Sequence, residues 1–137
     1  MPRYSRTSER RLATCHPDLQ ELFNRVIQYR DCTIICGHRT KEEQNEAHRT
    51  GHSKLKFPES KHNQDPSLAV DVMPYFDTAP HIRWDDLEST YNFIGFVQGI
   101  ADELGIKIRS GSDWDMDDDF HDQSFMDLPH YELVLEN

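Results

Sequence analysis

The sequence predicts an α+β domain in which a small antiparallel sheet is flanked by helices. Three observations predict it. Residues 17–30 and 85–104 carry apolar side chains at helical spacing. Short apolar runs at 33–36, 68–73, 106–108 and 130–135 read as strands. These elements also follow one another without the regular strand–helix–strand alternation of a parallel sheet.

Along the chain, Leu19, Leu22, Phe23, Val26 and Ile27 share one face of a helix running from Pro17 to Arg30. Pro17 suits its first turn, where a missing N–H costs nothing. Thr33-Ile34-Ile35-Cys36 is a β-branched run ended by Gly37, as expected of a buried strand. Thr40 with Glu43 has the form of a capping box, so a second helix is expected from Lys41 to Arg49, stopping at Gly51. Residues 51–67 carry Gly, Ser, Pro, Asn and Asp with no apolar period, and read as a loop. Leu68 to Met73 forms a strand closed by Pro74.

Asp85 is placed to cap a long helix reaching Leu104, with Leu87, Tyr91, Ile94, Val97, Ala101 and Leu104 inward and Gly105 as its stop. The aromatics Trp84, Tyr91, Phe93 and Phe96 on or beside it are assigned to the core rather than to a sugar platform. Ile106 to Ile108 is a strand, and Ser110 to Asp127 an acidic loop in which Trp114 either packs or lines a cleft. His130 to Leu135 is the last strand, with Tyr131, Leu133 and Leu135 on one face.

The 137 residues fit one domain, and no repeat or linker divides them. A hydrophobic content of 36% and a charged content of 29% describe an ordinary globular protein. No run approaches the roughly 18 apolar residues of a membrane span. The polar, basic start from Met1 to Arg11 has no apolar run behind it, unlike a secretory signal, so a protein made in the cytoplasm is expected. Cys15, Cys32 and Cys36 are odd in number, and although Cys32 and Cys36 share a strand face, reduced thiols fit that compartment. A net charge of −10 argues against nucleic acid as a partner. A monomer is expected.

The charge is uneven: residues 1–61 are mixed, whereas Asp113 to Asp127 is densely acidic. Asp71 lies within an apolar strand, where an unpaired carboxylate is costly to bury, so it needs an arginine, a metal or backbone donors. His62 precedes that strand, and His130 opens the last one, three residues after Asp127. Two histidines and a carboxylate make a three-ligand set of the kind catalytic zinc uses, and Asp127 is then the candidate general base. On residue types alone, a buried ion pair or a structural histidine accounts for each position equally well.

Ser60-x-His62, Ala69-x-Asp71 and Asp127-x-x-His130 together resemble the M15 family of zinc D,D-/L,D-peptidases, above all the short phage endolysins that cleave the L-alanyl–D-glutamate bond of peptidoglycan. Gly37-His38-Arg39-Thr40, Trp84-Asp85-Asp86-Leu87, Glu103 to Lys107, Asp113-Trp114 and His121-Asp122 extend the resemblance over nearly the whole chain. It implies a fold of the Hedgehog/D-alanyl-D-alanine peptidase type, zinc held by His62, Asp71 and His130, and Asp127 as acid/base. Arg39 or His121 would offset charge on the tetrahedral oxygen. The partner would be the peptidoglycan stem peptide, reached by a lysin made in the host cytoplasm. The sequence departs from the family pattern Ser-x-His-x-x-Gly-x-Ala-x-Asp: Asp65-Pro66 is inserted and Ser67 stands where glycine is usual, so the loop beside the zinc should differ in shape. Leu128-Pro129 replaces smaller residues before His130.

Two further expectations concern neighbours of this set. Glu132 shares a strand face with His130, either supporting it or standing as an edge-strand charge. Asp113, Asp115, Asp117 and Asp119 place carboxylates at positions 1, 3, 5 and 7 of a calcium-loop pattern. Asp118 stands where glycine is expected, and Ser124 where a bidentate acid belongs, with Asp122 as a substitute. A solvated acidic loop is the alternative. The rival functions are a D-alanyl-D-alanine carboxypeptidase or dipeptidase, a zinc-retaining binding module without catalysis, and a metal-free interaction domain.

Overall fold

A computed structural model describes residues 2–117, 119, 121 and 126–135. The first helix, α1 (Arg6–Ala13), lies largely in the polar, basic start, where the sequence suggested no element. Ser5 caps it by accepting from the Ser8 N–H. Leu12 is the one hydrophobic side chain this helix buries, which is why apolar periodicity gave no sign of it. Polar contacts dock it instead: the Ser8 hydroxyl accepts from Ile34 N at 3.0 Å, and Arg11 donates to the Ile34 carbonyl.

Helix α2 (Pro17–Val26) ends four residues before the expected Arg30, because Ile27 and the turn after it close the helix. Strand β1 (Cys32–Cys36) follows, then α3 (Lys41–Arg49) with both halves of its Thr40/Glu43 capping box formed. The expected loop at 51–67 contains a short 3-10 turn, Lys61–Asn63, capped by Ser60. Strand β2 (Ala69–Pro74) is buried throughout.

Helix α4 (Leu87–Leu104) is capped by Asp86 rather than Asp85 and ends at Gly105, whose φ of 72° is one that glycine adopts without strain. Its inward face holds Thr90, Phe93, Ile94, Val97 and Ala101. Leu87, expected inward, is 54% exposed because it sits at the helix's solvent-facing start, and Trp84, expected in the core, is 55% exposed. Strand β3 (Ile108–Ser110) lies two residues later than expected: Ile106 is buried, but the pairing with the last strand starts at Ile108. That last strand, β4 (His130–Leu133), ends before Leu135, which is exposed. All three cysteines are free thiols.

The four strands form one antiparallel sheet in the order β1-β2-β4-β3. Strand alternation divides its two faces. Val70, Val72, Ile108, Tyr131 and Leu133 pack with α2 and α4 into the core, where Phe23 meets Tyr131 edge-on. The intervening residues, Asp71, Arg109, His130 and Glu132, therefore all point to the opposite face. In register, Asp71 lies opposite His130, and Arg109 opposite Glu132. The sheet that builds the core thus also gathers a polar cluster on its other side.

Candidate metal centre

His62, from the 3-10 turn, comes down over Asp71 and His130, and all three are buried. The hydrogen bonds fix which nitrogen each histidine turns inward. Nδ1 of His62 lies 2.7 Å from the Gly37 carbonyl, which can only accept, so Nδ1 carries the proton there and Nε2 faces Asp71. Nε2 of His130 lies 2.8 Å from a Glu132 carboxylate oxygen, so its proton belongs on Nε2 and Nδ1 faces inward. The two inward nitrogens are 3.3 Å apart and lie 3.2 and 3.3 Å from Oδ1 of Asp71. Two nitrogens and one carboxylate oxygen converge on one place, a donor set that suits a divalent ion such as zinc.

The same crowding shapes the charges. Burial opposes a charged ring at His62, but the Asp71 carboxylate, with a contact to Cys36, lifts its pKa to about 10. Burial likewise opposes charge on Asp71, yet His62 and His130 hold its carboxyl well below the usual range. A lone cation fits this cluster in place of those protons.

Around it stand the remaining predicted residues. Oδ2 of Asp71 accepts from Arg39 at 3.1 Å, and Arg39 also donates to Gln44. Arg39 is therefore in an ion pair with the cluster's own carboxylate while lining the cleft above it. Asp127 sits at the cleft with its Oδ2 3.9 Å from His130 Nδ1 and its side chain 26% exposed. Burial and the nearby Asp71 raise its pKa above the ordinary carboxylate range, against the pull of His130, His62 and Arg39. Its backbone is tied to Gly111, whose carbonyl accepts from Asp127 N at 2.9 Å. A Cβ on Gly111 would fall 2.0 Å from the Asp127 carbonyl oxygen, so only glycine allows this approach.

His121 is not brought to the cluster: its side chain is 98% exposed, with its ring against Asp119. Asp113, Asp115 and Asp117 do gather their carboxylates within 4.8 Å of one another, Asp113 buried and the others exposed. Asp119 is exposed and accepts from His121 N. The calcium pattern's Asp118, Asp122 and Ser124 lie outside the described residues. Trp114 lines the cleft, its ring 5.3 Å from that of His130. The inserted Asp65-Pro66 is exposed, its loop pinned behind by Ser67, whose N–H donates to the Thr14 carbonyl and whose carbonyl accepts from His16 N. The insertion bulges toward solvent.

Residues that the sequence gave no reason to single out complete the site. Gln44, fully buried, spends its amide on Ser53 and the Leu55 carbonyl, fastening the 53–55 loop to Arg39. Lys61 and Arg109 both reach Glu132, at 3.2 and 2.7 Å. The Glu132 carboxylate is itself only 7% exposed, and although burial works against its charge, His130 and Arg109 bring its pKa down to about 2. It supports His130, the first of its two expected roles. The cleft these residues line has a volume of about 490 Å³.

The sequence model of the phage L-alanyl-D-glutamate peptidase family matches residues 1–134. The L-alanyl-D-glutamate peptidase of Escherichia phage T5 is 35% identical over 137 aligned positions, covering 96% of this chain and 98% of the relative. Among solved structures, the L-Ala D-Glu endopeptidase ChiX of Serratia marcescens superposes with a TM-score of 0.71 at 25% identity, over 96% of this chain and 90% of that one. The chain therefore belongs to the phage L-alanyl-D-glutamate peptidase family.

Proposed function

We propose that this protein is a zinc peptidase that hydrolyses the L-alanyl–D-glutamate bond of the peptidoglycan stem peptide, acting as a monomeric phage lysin on the cell wall. The observation that carries the reading is the convergence of His62 Nε2, His130 Nδ1 and Asp71 Oδ1 at the floor of a cleft that also presents Asp127. Family membership supplies the bond. Among the described residues, no helix is long and apolar enough to cross a membrane.

Zinc held by His62, Asp71 and His130 would supply a Lewis acid and lower the pKa of a bound water. The chain's own groups do the rest. Asp127 takes the attacking water's proton on its carboxylate, a transfer its raised pKa favours, and returns it to the leaving nitrogen. Arg39, held by Asp71 Oδ2 and Gln44, lines the cleft as a fixed positive charge that offsets charge on the carbonyl oxygen. Arg39 takes this role rather than His121 because only Arg39 lines the cleft.

The test is removal and return of metal. Dialysis against a chelator should abolish lysis of outer-membrane-stripped cells, and one equivalent of zinc should restore it. Full activity in protein shown to be free of metal would overturn the reading. For the acidic loop, Asp113, Asp115 and Asp117 support calcium as its ligand. Calcium should then raise both Tm and lytic rate of the zinc-loaded protein, and a titration that moves neither would end that part of the proposal.

A further inference from the structure

We propose that Lys61 and Arg109 form an anion subsite on the cleft wall that takes the free carboxylate of the substrate's glutamyl residue. The inference rests on the peptidase reading above and adds to it the group that makes glutamate the preferred residue after the scissile bond.

Four cations, Arg39, Lys54, Lys61 and Arg109, line the cleft beside three carboxylates, Glu59, Asp127 and Glu132, in a chain whose net charge is −10. Basic side chains thus outnumber acidic ones in the cleft of an acidic protein, a local bias that favours an anionic ligand. Arg39 is already committed to Asp71 and Gln44. Lys61 and Arg109 share a single partner. Oε2 of Glu132 accepts from Arg109 Nη2 at 2.7 Å and lies 3.2 Å from Lys61 Nζ, while Oε1 accepts from His130. One carboxylate, already serving an imidazole, faces two full cations, and the excess charge is positive.

Donors are also left over. Among the described residues, the Lys61 ammonium turns its three N–H groups to two partners, Glu132 and the Leu133 carbonyl at 2.7 Å. Among the same residues, the Arg109 guanidinium spends one of its five N–H groups on Glu132, and its buried Nε has no hydrogen-bond partner. Both side chains are 37% exposed, so the anchored ends still reach the cleft. Trp114 lies along the Arg109 guanidinium, 5.5 Å from ring centre to Cζ. Two cations fixed by a buried carboxylate, a backbone carbonyl and an aromatic ring lose little freedom when an anion arrives.

Substrate chemistry supplies that anion. Glutamate has one amine and two carboxyl groups. When alanine acylates the amine and one carboxyl extends the peptide, the other remains a carboxylate, a short carbon chain from the leaving nitrogen. The subsite stands correspondingly close to the metal position, since Glu132 links it directly to His130.

The test uses zinc-loaded protein and three synthetic stem peptides: one with both the glutamyl and terminal carboxylates free, one with the glutamyl carboxylate as its amide, and one with only the terminal carboxylate amidated. Charged hydrogen bonds of this kind correspond to roughly a tenfold or greater preference. The wild type should favour the free glutamyl carboxylate over its amide by at least that factor in kcat/KM, chiefly through KM, and be indifferent to the terminal group. That ratio should collapse toward one in Arg109→Met and in Lys61→Met, and be partly kept in Arg109→Lys. Zinc content and Tm are measured beside each variant, so that if one variant fails to fold, the other two still decide. Cleavage without discrimination by the wild type, discrimination retained in the variants, or discrimination that follows the terminal carboxylate would each overturn the subsite. No cleavage of any peptide by the zinc-loaded wild type would overturn the peptidase reading and the subsite with it.

Discussion

What distinguishes His62 and His130 from other buried histidines is the partner of each ring's far nitrogen. The Gly37 carbonyl and the Glu132 carboxylate can only accept, so in its neutral form each ring carries its proton outward and offers its lone pair inward. Asp127 stands apart from this set in being partly exposed, and from the carboxylate of Asp71 in the direction of its pKa, which is raised where that of Asp71 is lowered. Its removal should therefore separate chemistry from metal binding. Asp127→Ala is expected to keep one zinc per chain while kcat falls by roughly 10²–10⁴-fold, the usual worth of a general acid–base group; metal analysis beside the assay checks both, and loss of zinc would make Asp127 a ligand instead. On residue types alone, His62, Asp71, Asp127 and His130 stay open to ordinary structural readings, and it is the family resemblance of Ser60-x-His62, Ala69-x-Asp71 and Asp127-x-x-His130 that singles them out. Gln44, Lys61 and Arg109 were not legible: each is an ordinary polar residue whose role comes from partners 11 to 72 positions away in the chain.

At the scale of elements, the site depends on where strands start and how closely loops pass. Strand β4 was legible through alternation, and its period puts His130 and Glu132 on one face and Tyr131 and Leu133 on the other. Helix α1 was not, since it docks through Ser8 and Arg11 rather than through an apolar stripe. Strand β3 was placed too early because burial of Ile106 looks the same from sequence as sheet pairing. The turn after β3 sets the position of Asp127, with Gly111 in backbone contact with it. Gly111→Ala puts a methyl group on the Asp127 carbonyl and must push that segment away. A displacement near 1 Å costs about 10²-fold in rate, so kcat should drop by at least tenfold with zinc retained. Steady-state kinetics with metal analysis would show it, and wild-type kcat would mean that the segment yields without moving the carboxylate.

For the molecule as a whole, the proposed metal and the proton would compete for one cluster. In the metal-free protein the Asp71 carboxylate, acting against burial, raises the His62 pKa from 6.5 to about 10. Because that pKa is raised, protonated His62 stabilises the metal-free fold fully below pH 6.5, and this contribution is lost as pH rises through about 10. Zinc needs the neutral ring, so its binding should release protons throughout that window and tighten as pH rises. Calorimetry at pH 7.5 in two buffers of different ionisation enthalpy should show a buffer-dependent heat corresponding to at least one proton released per zinc. Identical heats in both buffers would mean that His62 is already neutral.

The central claim, a metal-dependent cut between L-alanine and D-glutamate, is tested most directly by mass spectrometry of purified peptidoglycan digested with the zinc-loaded protein. New L-alanine C-termini and D-glutamate N-termini should appear, and a chelator should prevent them. Release of free D-alanine would contradict the assigned bond and make the protein a carboxypeptidase, and intact peptidoglycan from zinc-loaded protein would leave it a binding module.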